Sequence, residues 1–340
     1  MLKHVKTKIL TVFLCIAILS FSLTSFFNLY SPIVHAYDEG YSNIWASDSY
    51  WHKKIKDNPT MHPNNDQMVA WLLGAGSNYQ NGNVYINWQG YTKPIWDAGA
   101  DTSTYTVYKS GKVNVWYYNV PIPDGTQPAI DTDHSFGVVD WDERCYYDFW
   151  NFWYEDGIYW AGAGYKYDLD GDGLCDEPVS GPVYTVGGSS TPMLAIAIRD
   201  EEIEAGIIEH PLGCCVETPK YNKYVYPPTG RSYGSSTATY ALPTGVRIQL
   251  DPSVNLDAYG LNPTAKIIAK ALQDYGCIVK ESGGGWHIYA EHDYSADWDA
   301  NMGNGILSNL PNKFSTSLIR RSQPPKDDES EFVLPEPSTF

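Results

Sequence analysis

Basic residues are scarce. The 340-residue chain holds 23 Lys and Arg against 40 Asp and Glu, a formal net charge of −17. Residues 1–36 contain Lys3, Lys6 and Lys8 and no acid, so the remainder carries 20 basic and 40 acidic residues, a net charge of −20. That balance excludes a nucleic-acid binder that works by neutralising phosphates, and a protein held to a membrane by a polybasic patch. No apolar run reaches the ~20 residues of a membrane span. Cysteine is sparse, with Cys15 near the start and then Cys145, Cys175, Cys214, Cys215 and Cys277. No CxxC spacing exists, which argues against a zinc site. There is no Gly-x-Ser-x-Gly, and Gly283-Gly284-Gly285 lacks the Lys-Ser/Thr of a phosphate-binding loop. Disorder is excluded by 43% hydrophobic residues and by 12 Trp, 27 Tyr and 10 Phe.

What is present begins with an export signature. Lys3, Lys6 and Lys8 precede the apolar run 9–19, and Val34-His35-Ala36 offers a small-residue cleavage site before Tyr37. The expectation is a secreted or surface-exposed chain with a signal peptide at 1–36, a single β-sandwich domain at 37–320 and a disordered Pro- and acid-rich tail at 321–340. Export permits disulfides. Five cysteines are an odd number, so two bridges would leave one thiol over, and adjacent Cys214 and Cys215 would reach different partners.

Short β-branched or aromatic runs dominate the domain: 84–88, 104–108, 112–118, 136–140, 145–152, 158–161, 183–186, 246–250, 277–280 and 287–290. Val84, Ile86 and Trp88 alternate with Tyr85 and Asn87. This pattern predicts an all-β, antiparallel, jelly-roll-like sandwich. Two or three short helices interrupt it. One covers 65–73 and stops at Gly74, Thr191-Pro192 opens a short apolar turn, and Asp200-Glu201-Glu202 begins another that ends at Gly206. The clearest runs from the Asn262 cap through Pro263 to the Gly276 stop, with Ile267, Ile268, Ala271, Leu272 and Tyr275 on one face.

The order of several motifs resembles a widespread group of exported bacterial, largely actinobacterial, β-rich proteins without an assigned activity. They are Tyr50-Trp51, Asn64-Asn65, Tyr91-Thr92-Lys93-Pro94-Ile95, Asp133-His134, Tyr147-Asp148-Phe149-Trp150, His210-Pro211-Leu212, Tyr224-Val225-Tyr226-Pro227 and 245–250. Adjacent Asp133-His134 departs from the group's Asp-x-His, and Pro211 stands where the group has Ala. The resemblance implies one exported β-rich domain and no particular reaction. Separately, 333–339 (VLPEPST) resembles the PEP-CTERM sorting signal, which implies attachment at the cell surface. The apolar helix and basic cluster that accompany that signal do not follow in this sequence.

Four constellations could carry chemistry. Asp168, Asp170 and Asp172, with Gly173 and then Asp176, have the spacing of the first half of an EF-hand-type loop and point to a structural Ca²⁺; Val179 stands where the bidentate Glu would be. Asp133, His134 and Asp148 supply the two carboxylates and imidazole of a glycoside hydrolase. His210 as base, with Tyr226 and Arg247, would suit a polysaccharide lyase. Eight Trp and Tyr lie within residues 141–160. Of the chain's aromatics, Trp141, Tyr147, Trp150, Trp160 and Tyr226 are the candidate sugar-stacking residues. Together these predict a protein that acts on or binds an extracellular polysaccharide, hydrolysis being favoured, with non-catalytic binding and lyase chemistry as alternatives.

Overall fold

The computed structural model describes residues 44–317 except 56–58, 60, 75–83, 111–113, 176–185, 187, 222, 229–233, 299–301, 304 and 312. The expected signal peptide, the tail, and residues 183–185 of the strand expected at 183–186 lie outside the described residues. So does Asp176. All described residues fall in the compact unit Tyr41–Phe340.

Twelve strands form two six-stranded sheets. They are β1 (Tyr85–Asn87), β2 (Ile95–Ala98), β3 (Thr104–Lys109), β4 (Val115–Pro121), β5 (Phe136–Asp140), β6 (Cys145–Glu155), β7 (Ile158–Asp168), β8 (Leu212–Val216), β9 (Arg247–Leu250), β10 (Cys277–Ser282), β11 (His287–Tyr289) and β12 (Phe314–Ser317). The first sheet runs β1-β11-β8-β10-β9-β12 and the second β2-β5-β6-β7-β3-β4. Two sheets match the expected β class, but they are mixed, not antiparallel. The pairs β1/β11, β8/β10, β2/β5 and β3/β7 are parallel. Side-chain alternation is identical in parallel and antiparallel strands, so periodicity could not separate the two.

Among the described residues there are three α-helices: α1 (Asn65–Leu73), α2 (Asp200–Ala205) and α3 (Pro263–Asp274). In α3, Asn262 Oδ1 accepts from Ala265 N at 2.7 Å, Pro263 sits in the first turn, and Gly276 follows at φ +69°. Its Ala265, Ile268, Ala271 and Leu272 are buried with Leu212, Cys214, Ile248 and Val279 of the first sheet, as are Met68 and Leu72 of α1. Each large aliphatic side chain buried there contributes about 1.5–3 kcal/mol.

The second sheet has its own aromatic core. Phe136, Val138, Tyr147, Phe149, Phe152 and Ala161 pack together on one face, with Phe136 stacked on Phe152 at 4.3 Å. Between the sheets runs the segment 188–199. Its Ile196 lies against Gly213 of β8, where an added Cβ would come within 2.2 Å of Ile196 Cδ1. Ser190 O accepts from Tyr167 Oη of β7 at 3.2 Å, and Met193 N donates to Asp148 of β6. The layer this segment fills is rich in charge. The five described cysteines are buried, and no two of them stand at disulfide distance.

Candidate functional site

The face of β6 opposite the aromatic core changes character along its length. Near Cys145 it presents Tyr146 and Asp148, both buried. Asn151 then takes a left-handed φ of +50° and breaks the alternation. Phe149 and Phe152, three residues apart, consequently share the core face. Trp150 and Trp153 therefore share the other. Trp150 is 36% exposed. Trp153 stacks on Trp160 of β7 at 6.2 Å and 17°, and Trp160 meets Tyr108 of β3 at 5.8 Å and 49°. Trp153, Trp160 and Tyr108 are half-buried. Adjacent strands thus carry a row of half-exposed rings, with Trp150 at its side.

Asp133 borders this row. Its Oδ1 accepts from Trp150 Nε1 at 3.1 Å, and its carbonyl accepts from Asn151 N at 2.8 Å. Neighbouring Asp131 caps a turn, accepting from Tyr91 N at 2.5 Å and Asp133 N at 2.9 Å. His134 is exposed, at φ +42°, with Nδ1 donating to Ala129 O at 3.3 Å.

Asp148 shares the Trp150 face but lies deeper, 1% exposed in an ion pair with Lys93. It therefore does not join Asp133 as a second solvent-accessible carboxylate. Beside that pair, Lys280 Nζ and Tyr289 Oη reach Glu281 Oε1 at 2.8 and 2.7 Å, and Gly188 N donates to Oε2 at 2.7 Å. Burial alone would raise the Glu281 carboxyl's pKa. Lys280 and these hydrogen bonds outweigh it and hold it below the ordinary carboxylate value. Burial pushes the Cys215 thiol up to about 11, so it stays protonated and unreactive.

The remaining expected site residues are dispersed. His210 is fully buried, with Nδ1 donating to Pro211 O at 2.9 Å and Nε2 2.9 Å from Glu202 Oε1. Arg247 is also fully buried. It donates to Tyr50 Oη at 3.0 Å, Lys53 O at 2.7 Å and Tyr275 O at 3.1 Å, and holds the 3-10 turn Tyr50–His52 against β9. Tyr226 packs edge-on to Tyr50 at 5.1 Å. His210, Arg247 and Tyr226 are thus engaged in packing and chain tethering. Tyr147 is 4% exposed in the aromatic core, and Trp141 donates to Asp97 Oδ1 at 2.8 Å.

The expected Ca²⁺ loop spends its donors internally. Asp168 Oδ1 accepts from Asp170 N at 2.9 Å, Asp172 Oδ1 from Leu174 N at 3.0 Å, and Arg144 pairs with Asp170 at 2.9 Å. The carbonyls of Leu169, Gly171, Asp172 and Gly173 accept from Trp45 N, Ala46 N, Ser49 Oγ and Trp51 Nε1. Asp176, the fourth expected ligand, lies outside the described residues, and no step is derived through a Ca²⁺ ion. Among the described residues, the carboxylates whose oxygens approach within 4.8 Å are Asp200, Glu201 and Glu291, packed around Arg199.

Trp153 and Tyr108 belong to the exposed row and Lys93 to the buried pair, yet none was singled out from sequence. Trp153 was hidden by the break at Asn151, since simple alternation puts residue 152 or 154 beside Trp150. A buried lysine has no local sequence signal at all. No helix of the described residues is long and apolar enough to cross a membrane. No family model, no curated protein and no solved structure matches the chain.

Proposed function

We propose that this protein is exported and binds an extracellular polysaccharide without cleaving it, using the row Tyr108, Trp160, Trp153 and Trp150. The row of half-exposed rings carries the reading. Flat rings present polarisable faces to the C–H faces of sugars, and their rigidity keeps the entropic cost of binding low. The bordering Asp133 can accept sugar hydroxyl hydrogens. The surplus of acid along the chain favours a neutral glycan over a polyanion. Hydrolysis is less well supported, because the second expected carboxylate, Asp148, is committed to Lys93.

The test is retention in gels containing neutral polysaccharides, with reducing ends followed in parallel. Trp153→Ala and Trp160→Ala should each weaken retention about tenfold, equivalent to about 1.4 kcal/mol, and no reducing ends should appear. Unchanged retention in both variants would overturn the assignment to this face. Release of reducing ends that disappears in Asp133→Ala would restore the hydrolase.

A further inference from the structure

Lys93 and Asp148 form a buried pair in the layer between the sheets, with side chains 5% and 1% exposed. Lys93 Nζ lies against Asp148 Oδ1 and donates to Phe149 O at 2.8 Å. Asp148 Oδ2 accepts from the Met193 backbone N–H at 3.2 Å. Both backbones are fixed. Lys93 O accepts from His292 N at 3.1 Å, Thr92 Oγ1 donates to Ala290 O at 2.5 Å, and Asp148 is paired with Gly137 and Tyr165 inside the sheet. An amine and a carboxyl carbon are thus held together where water does not reach, which replaces a bimolecular encounter with an oriented contact.

We propose that Lys93 and Asp148 condense into an intramolecular isopeptide bond, joining the chain ahead of β2 to the middle of β6. The ammonium first passes a proton to the carboxylate, because a neutral amine and acid are favoured over two charges in a dry interior. Burial lowers the pKa of the Lys93 amine; the Asp148 charge opposes this, and Lys280 adds to the lowering. The Phe149 carbonyl holds one N–H and leaves the nitrogen lone pair directed at Asp148. That lone pair adds to Asp148 Cγ, and the carbonyl electron pair moves onto Oδ2, which faces the Met193 N–H. When the carbonyl re-forms, the Cγ–Oδ1 bond breaks. Oδ1 leaves as water with two protons, the one first transferred and one from the nitrogen. Ammonium plus carboxylate therefore become amide plus water, with charge conserved and no oxidant or cofactor required.

The test is the intact mass of the reduced, denatured mature protein, followed by peptide mapping. The wild type should be lighter than its composition by one water molecule, and one branched peptide should contain both Lys93 and Asp148. Lys93→Arg keeps the cation but lacks a primary amine, so it should show its full composition mass. Asp148→Asn should lose ammonia instead and reach the same final mass as the wild type, since both give the same amide. The wild-type measurement decides by itself. A full composition mass with both peptides linear would overturn the proposal, whatever the variants do.

Discussion

At the scale of single residues, the consequences follow from space and burial. Gly245 has a φ of +88°, and a Cβ there would lie 1.9 Å from Val225 O. Gly245→Ala should therefore cost about 3 kcal/mol, from backbone strain and a clash with a carbonyl that cannot rotate away. Gly90 has nothing within 4 Å, so Gly90→Ala should stay within about 0.5 kcal/mol, both variants being compared with the wild type by urea titration. Asp200 gives a pH-dependent effect. Burial and the neighbouring Glu201 raise its carboxyl from 3.8 to about 6, against the Asp297 N–H and Arg199, which lower it. Below about pH 3 the group is protonated in folded and unfolded chains alike. Between about pH 3 and 6 the unfolded chain ionises first, so folding takes up a proton and stability falls as pH rises. Above the folded value the whole penalty stands. Asp200→Asn keeps an oxygen to accept from Asp297 N and should stabilise the protein by about 1–2 kcal/mol at pH 7.5, allowing for screening. At about pH 3 it should have almost no effect, and equal effects at both pH values would refute the argument.

At the scale of elements, what could be read in sequence was what is encoded locally. The Asn262–Pro263–Gly276 punctuation marked α3, and Asn262→Ala should cost about 1 kcal/mol by freeing the Ala265 N–H. Thermal unfolding with and without the substitution measures it. The strand β5 begins and ends where its composition places it, and α1 closes at Gly74 as its pattern predicts. β8 was missed because Leu212 to Val216 are all buried, so there is no polar alternation to see, and it lies next to β10 in parallel. β2 was missed because its four residues are too few to show a period. The candidate site was half legible. The aromatic density around 141–160 was plain, but which rings face outward depended on one left-handed residue, Asn151. The spacing of the acidic loop's carboxylates did not reveal that Arg144 and the loop's own N–H groups engage them.

At the scale of the whole molecule, the charged layer between the sheets is the feature that most departs from an ordinary β fold, whose facing sheets meet through apolar side chains. The proposed amide lies in that layer and spans 55 residues of sequence. By the chain-entropy relation for cross-links, closing such a loop stabilises the folded state by about 4 kcal/mol.

The two sheets also differ in how much of the chain each requires. The second is drawn wholly from residues 95–168, whereas the first joins β1 to β11, bringing Asn87 beside His287, 200 residues away, and takes β12 from residues 314–317. Long-range pairings of that kind are slow to find and leave strand edges open while they wait. A nascent chain could therefore assemble the aromatic sheet during synthesis. The other sheet has to wait for β12, so completion of that sheet, and not any single local contact, is the event that times its folding.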